Sequence, residues 1–507
     1  MMDQERWWQR CVSYEIFPRS FQDTNGNGIG DIPGIIMRLP YLKKLGVGCL
    51  WIASIFFAND FLGEEVMDYR AVDPVLGSMS DVDALIAEAH RLSIKIVLEM
   101  PIGHTSARHA WFLESRKGGS SNPYQDFYLW TDTTCNWVTI KSDGALTWDS
   151  SRNAAFVHTY GENLPDLNWR DEHVVKAMYD QCRFWLEKGV DGLEFHDVNT
   201  IIKDETFRDN PSLSMLLHPR SYERQLHVFD RNRPESHREL RRLHAMVGEC
   251  DNRLMAGDIL QEKAGEPEIA ASYVGDQLDI TFDDALMRLP FRASAWRWCA
   301  QRWYQAVGEN GWPAWRMESG KDGRIVDRWK GKDGRARIAA MFLLTQKGMP
   351  LLYYGQEIGL CSKAKETKEG KVPTVSWRPM VWTDQEGHGF TTGTPWLPWG
   401  NAASSVAHGE TDADSLFSLY RRLIALRNED SVLQAGTIHF LDSGRHGVLA
   451  YCRQLGEEKR IILLNFRSRH SEVRTDAHTI MLSTSSMPTW VRGKLVLGPY
   501  QGVILKA

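Results

Sequence analysis

VGCLWI at 47–52, DVDALIAEAHRL at 81–92 and KIVLEMPI at 95–102 follow one another as strand, helix and strand. The first is a short apolar run, the second sets Val82, Leu85, Ile86 and Ala89 on one helical stripe, and the third is apolar and rich in β-branched residues. The alternation returns at Val174–Lys188 and Val190–Val198, at Glu239–Met246 and Leu254–Leu260, and at Arg335–Lys347 and Pro350–Tyr354. Repeated βα units predict a parallel barrel or a doubly wound sheet. The pattern stops between His104 and Asn168, where Gly, Ser, Asn, Thr and Trp accumulate, as in an inserted subdomain. After a helix at Ser415–Arg427, the runs Gly447–Gln454, Lys459–Phe466 and Gly493–Val503 read as an antiparallel β domain.

The remaining composition narrows the class. The chain has 507 residues, 43% hydrophobic and 25% charged, with 60 basic against 65 acidic residues and a net charge of −5. That is an ordinary globular composition with no basic surface for nucleic acid. No apolar run is long enough to span a membrane, and MMDQERWWQRC at the start lacks the apolar core of a signal peptide, so a cytoplasmic protein without a membrane segment is expected. The eight cysteines are scattered, which argues for reduced thiols over a disulfide framework or a cysteine zinc site. The 20 tryptophans suit either a large core or sugar-stacking surfaces.

One loop carries a cation pattern. Asp23, Asn25, Asn27 and Asp31 place side-chain oxygens at i, i+2, i+4 and i+8 on a glycine-rich stretch, with the Ile29 carbonyl at i+6. This spacing lets a loop wrap a hard ion, calcium or magnesium. The alternative is a loop held by Asn and Asp turns alone.

Several longer stretches, WWQRCVSYEIFPRSFQDTNGNGIGDIPGI from residue 7, LPYLKKLGV, MDYRAVDPVLGSM, LPDLNWRD at 164–171, GMPLLYYGQEIG at 348–359 and WRPMVWTDQEGHGFTTGTPWLP at 377–398, resemble the alpha-amylase superfamily, glycoside hydrolase family 13, in its oligo-1,6-glucosidase and alpha-glucosidase branch. The resemblance implies a (β/α)8 TIM barrel, domain A, at 1–103 and 171–430, with subdomain B inserted at 104–170 and an antiparallel β-sandwich domain C at 431–507. It also implies calcium at the loop from Asp23 to Asp31.

The catalytic positions of that family do not carry over. Retaining glycosidases place a carboxylate nucleophile and a carboxylic acid about 5–5.5 Å apart. Where the family writes G-F-R-x-D on strand 4, this chain reads Gly192-Leu193-Glu194-Phe195-His196, with Asp197 turned away if the alternation continues. The acid position on strand 5 holds Asp258, shorter than glutamate, with a second Gly-Glu pair earlier at Gly248-Glu249. Lys321 replaces the family's second aspartate; the strand 3 motif runs from Glu99 to His104; and the sugar-stacking motif reads Gly63-Glu64-Glu65.

Glu194, His196, Asp258 and Lys321 are therefore the candidate catalytic residues, with His104, Glu64, Glu65 and Glu99 as candidate substrate-binding residues. A pocket without a task drifts toward neutral side chains, because unpaired buried charge is costly. This one is charged. The expectation is a pocket repurposed for a different reaction on a small saccharide or sugar-like ligand, with Glu194, His196 and Asp258 acting as acid and base or holding a divalent metal. Two alternatives stay open: a non-catalytic protein that binds sugar or a protein partner, in which Glu194 and Lys321 pair, and an active alpha-glucosidase using a rearranged carboxylate pair.

Overall fold

The computed structural model describes residues 6–214, 220–261, 265–309, 311–329, 333–363 and 375–507. Apolar runs that are buried on both faces form the central parallel strands β1 (Ser13–Ile16), β2 (Cys49–Ile52), β3 (Lys95–Met100), β4 (Gly192–Phe195), β5 (Leu254–Gly257), β6 (Ala314–Arg316) and β7 (Met349–Tyr353). Their order is β5-β4-β3-β2-β1-β7-β6. The two free edges meet through residues 279–282, where Ile280 bridges Ala256 and Phe282 bridges Ala314, both in parallel. Side chains stitch this eighth stave to β5: Asp279 Oδ2 accepts from the Met255 N–H at 2.9 Å and Thr281 Oγ1 donates to the Gly257 carbonyl at 2.7 Å. The sheet thus closes into a (β/α)8 barrel.

The outer helices follow the apolar stripes. Met79–Arg91 starts at a capping box between Ser78 and Asp81 and buries Val82, Leu85, Ile86 and Ala89. Glu172–Lys188 starts at the Asp171 cap and ends at Gly189, whose φ of 108° lets the chain turn back into β4. Trp8, Trp51, Phe282 and Leu351 pack inside the barrel, while Trp169, Trp185, Trp296 and Trp303 are buried elsewhere, so much of the tryptophan content is core.

Between β3 and β4 the strands Trp130–Thr131, Leu146–Asp149 and Ala154–Val157 make a small antiparallel sheet. After helix Leu416–Glu429 come a five-stranded and a three-stranded antiparallel sheet. The expected run Gly493–Val503 is two strands, Lys494–Leu497 and Gly502–Lys506, one in each sheet. Gln501 accepts from the Gly498 N–H at 2.6 Å and holds the crossover between them. All eight cysteines are free, and no described helix is long and apolar enough to cross a membrane.

Candidate active site

A cavity of about 480 Å³ opens at the C-terminal ends of the barrel strands, where barrel enzymes do their chemistry. Glu64, Glu65, Glu99, His104, Glu194, His196, Asp258 and Lys321 all line it. Strand register explains the floor. Glu99 on β3 lies opposite Glu194 on β4, and the partner of Glu194 on β5 is the small Ala256. One donor atom from each of Glu99, Glu194 and His196 lies within 4.8 Å of the others.

His196 follows β4 and sits between carboxylates. Its Nε2 contacts Glu99 and its Nδ1 is 3.5 Å from Glu64 Oε1. Burial favours the neutral ring, but Glu99 and Glu64 outweigh it and hold the imidazole well above its usual range. Burial, then the charges of Asp258 and Glu99, push Glu194 well above the usual carboxylate range. Glu15 on β1, which also lines the cavity, is raised to about 8 by burial and then by Glu99.

Asp258 lines the same cavity and also faces a cation. Arg316 Nη1 is 3.1 Å from its Oδ1, and the same guanidinium makes a two-pronged contact with Asp284 at 2.8 and 2.9 Å. The expected trio of Glu194, His196 and Asp258 does share the cavity, and the charge of Asp258 acts on Glu194, but the tightest group around His196 is Glu99 and Glu194, while Asp258 is paired with Arg316. Nor do Glu194 and Lys321 pair. Lys321 Nζ instead faces Asp197 Oδ2 at 3.8 Å.

Asp197 lies in the cavity and is not turned away. Period-two alternation fails here because β4 ends at Phe195 and Asp197 takes the left-handed conformation, φ 44° and ψ 45°. Its carboxylate accepts a 2.6 Å hydrogen bond from Tyr160 of the inserted region. His104 is 4% exposed, with Nε2 3.7 Å from Glu64 and no hydrogen bond to either ring nitrogen among the described residues. Glu65 accepts from Asn59 and Asn163 at 2.8 and 3.2 Å. Glu249 is far more exposed and pairs with Arg183, outside the cavity. Sequence reasoning missed Glu15, Asp284, Arg316 and Tyr160; a charged residue within each of the apolar runs Ser13–Ile16 and Ala314–Arg316 was the signal available for two of them.

In the loop from Asp23, each side chain accepts backbone N–H groups. Asp23 takes those of Asn25, Gly26 and Gly28, Asn25 that of Asn27, and Asn27 that of Ile29. Asp31 Oδ1 caps helix Ile32–Leu45 at the Gly34 N–H, 2.7 Å away, while Oδ2 takes Thr24 and Asn25. A lone pair remains on Asn25 Oδ1, Asn27 Oδ1 and Asp31 Oδ1, whereas each Asp23 oxygen already accepts two hydrogen bonds, Oδ1 from Asn25 and Gly26 and Oδ2 from Gly28 and Thr391, so a hard cation at this loop displaces some of these contacts.

Residues 15–436 match the alpha-amylase catalytic domain, and the chain belongs to the alpha-amylase family. It is 34% identical over 497 residues to a probable alpha-glucosidase of Rhizobium meliloti, covering 90% of this chain and 89% of that one. It is 32% identical to an oligo-1,6-glucosidase of Heyndrickxia coagulans, covering 90% and 92%. Among solved structures, an alpha-glucosyl transfer enzyme superposes with a TM-score of 0.92 at 31% identity over 99% of this chain and 100% of that one. The trehalulose synthase of Pseudomonas mesoacidophila MX-45 gives 0.88 at 28% identity, covering 99% of each.

Proposed function

We propose that the barrel cavity acts on a small saccharide or sugar-like molecule with Glu99, Glu194 and His196 as its reaction centre, and not by ordinary retaining hydrolysis of alpha-glucosides. The observation that carries this reading is the convergence of these three side chains on the floor of an open cavity. Burial favours the protonated form of Glu194 and the carboxylates Glu99 and Glu64 favour the protonated form of His196, so both are suited to donate protons, with Glu99 in contact with the imidazole. A dead pocket would have no reason to keep such groups apart from packing and facing open space.

The test is a saccharide panel followed by NMR, including maltose, isomaltose and aryl alpha-glucosides. Turnover of a panel member that His196→Asn abolishes and Asp197→Asn preserves supports the reading. Tight binding without turnover overturns it in favour of a sugar-binding protein. The left-handed turn that brings Asp197 into the cavity favours a second reading, an alpha-glucosidase using Asp197 and Asp258. Alpha-glucoside turnover lost in Asp197→Asn but kept in His196→Asn selects that one.

The loop donors Asp23, Asn25, Asn27, the Ile29 carbonyl and Asp31 are proposed to hold calcium, or magnesium, as a structural ion. A cation bound only by the folded loop raises the melting temperature by mass action. An unchanged melting temperature between millimolar calcium and chelator would reject the ion.

A further inference from the structure

We infer that Glu99, Glu194 and His196 form a binding site for one divalent transition-metal ion of the Mn2+ or Zn2+ kind. The inference rests on the same pocket as the proposed reaction, yet it stands or falls by a separate measurement. Geometry supplies two carboxylate oxygens and one imidazole nitrogen within 4.8 Å of one another, from the ends of two adjacent strands. Glu194 is 6% exposed and lines the cavity, and among the described residues its carboxyl has no hydrogen bond or ion pair. Its carboxyl oxygens therefore face the cavity without a protein partner and are available to a ligand.

The neighbouring cations do not fill that need. Arg316 is engaged by Asp258 and Asp284, and Lys321 faces Asp197. Glu15 adds a further carboxyl to the same cavity. The floor thus gathers several carboxyl groups around an imidazole, itself a metal ligand. An imidazole nitrogen with two carboxylates suits Mn2+ or Zn2+, whereas Ca2+ needs six or more oxygens. Glu64, 3.5 Å from His196 Nδ1, is placed to orient the ring from behind, as carboxylates do for metal-bound histidines. Three protein ligands facing open space leave positions for water or sugar hydroxyls.

The experiment titrates chelator-treated full-length protein with MnCl2, reading heat by calorimetry and free Mn2+ by electron paramagnetic resonance. With excess calcium present to fill the loop from Asp23 to Asp31, we expect one saturable Mn2+ site per chain, weakened about 100-fold or more in Glu194→Gln and in His196→Ala, and unchanged in Glu249→Gln, which lies outside the cavity. Absence of saturable binding, binding that survives both pocket variants, or binding lost equally in Glu249→Gln would overturn the site. Should the pocket variants fail to fold, anomalous diffraction from wild-type crystals soaked in Mn2+ decides: a peak among the three side chains supports the site and a blank floor rejects it. A protein that binds no metal but turns over sugar through His196 overturns this inference alone.

Discussion

Arg316 sorts the carboxylates of the pocket. By gripping Asp258 and Asp284 it leaves Glu99 and Glu194 to His196. Arg316→Met should strand two buried carboxylates and cost about 3–5 kcal/mol of stability, partly recovered by adding Asp258→Asn and Asp284→Asn; urea unfolding of the single and triple variants checks this. The spacing of Glu194 and His196 was legible as a shared strand face. The approach of Glu99 was not, because register between β3 and β4 is set by packing and not by spacing along the chain. Asp197 was misread for a local reason: its left-handed backbone begins where the alternation stops.

Among the elements, the short helix Ala110–Ser115 carries a proton-sensitive cap. His109 Nδ1 accepts from the Trp111 N–H at 3.1 Å, so the cap requires a neutral ring, and burial lowers its pKa to about 4. The folded value lies below the ordinary 6.5, so the unfolded chain takes up the proton first. This contribution is complete above pH 6.5 and is lost as pH falls toward 4, to a total of about 3 kcal/mol. His109→Asn keeps a capping side chain while losing ring packing. It should be less stable at neutral pH but show a shallower loss of stability between pH 6.5 and 4.5, measured by denaturant unfolding. The helices and strands themselves were legible, since periods of 3.6 and 2 are written in the apolar residues. The division of Gly493–Val503 was not, because both strands are apolar and only the Gln501 crossover separates them.

Across the whole molecule, one apolar core runs from the barrel into the C-terminal sheets, where Phe291 and Trp296 meet Phe466 and Phe342 meets Tyr451. Arg453 adds a buried donor to the Thr345 carbonyl at 2.8 Å. Calorimetry should therefore show a single cooperative transition, and a chain cut after Gly436 should fail to fold as a soluble barrel, since it would expose these rings. The resemblance to the family covered this architecture; the seam at 279–282 lay beyond it. A stave held by one bridge on each side should open more often than a continuous ladder, and faster amide hydrogen exchange at 279–282 than in the neighbouring strands, next to Asp258 and Arg316, checks this. Besides the main-chain bonds from Asp279 N–H to the Met255 carbonyl and from Gly257 N–H to the Ile280 carbonyl, its fasteners are the side chains of Asp279 and Thr281. How often the floor of the pocket is wetted from within is thereby a tunable quantity, adjustable by single substitutions that leave every main-chain ladder of the barrel untouched.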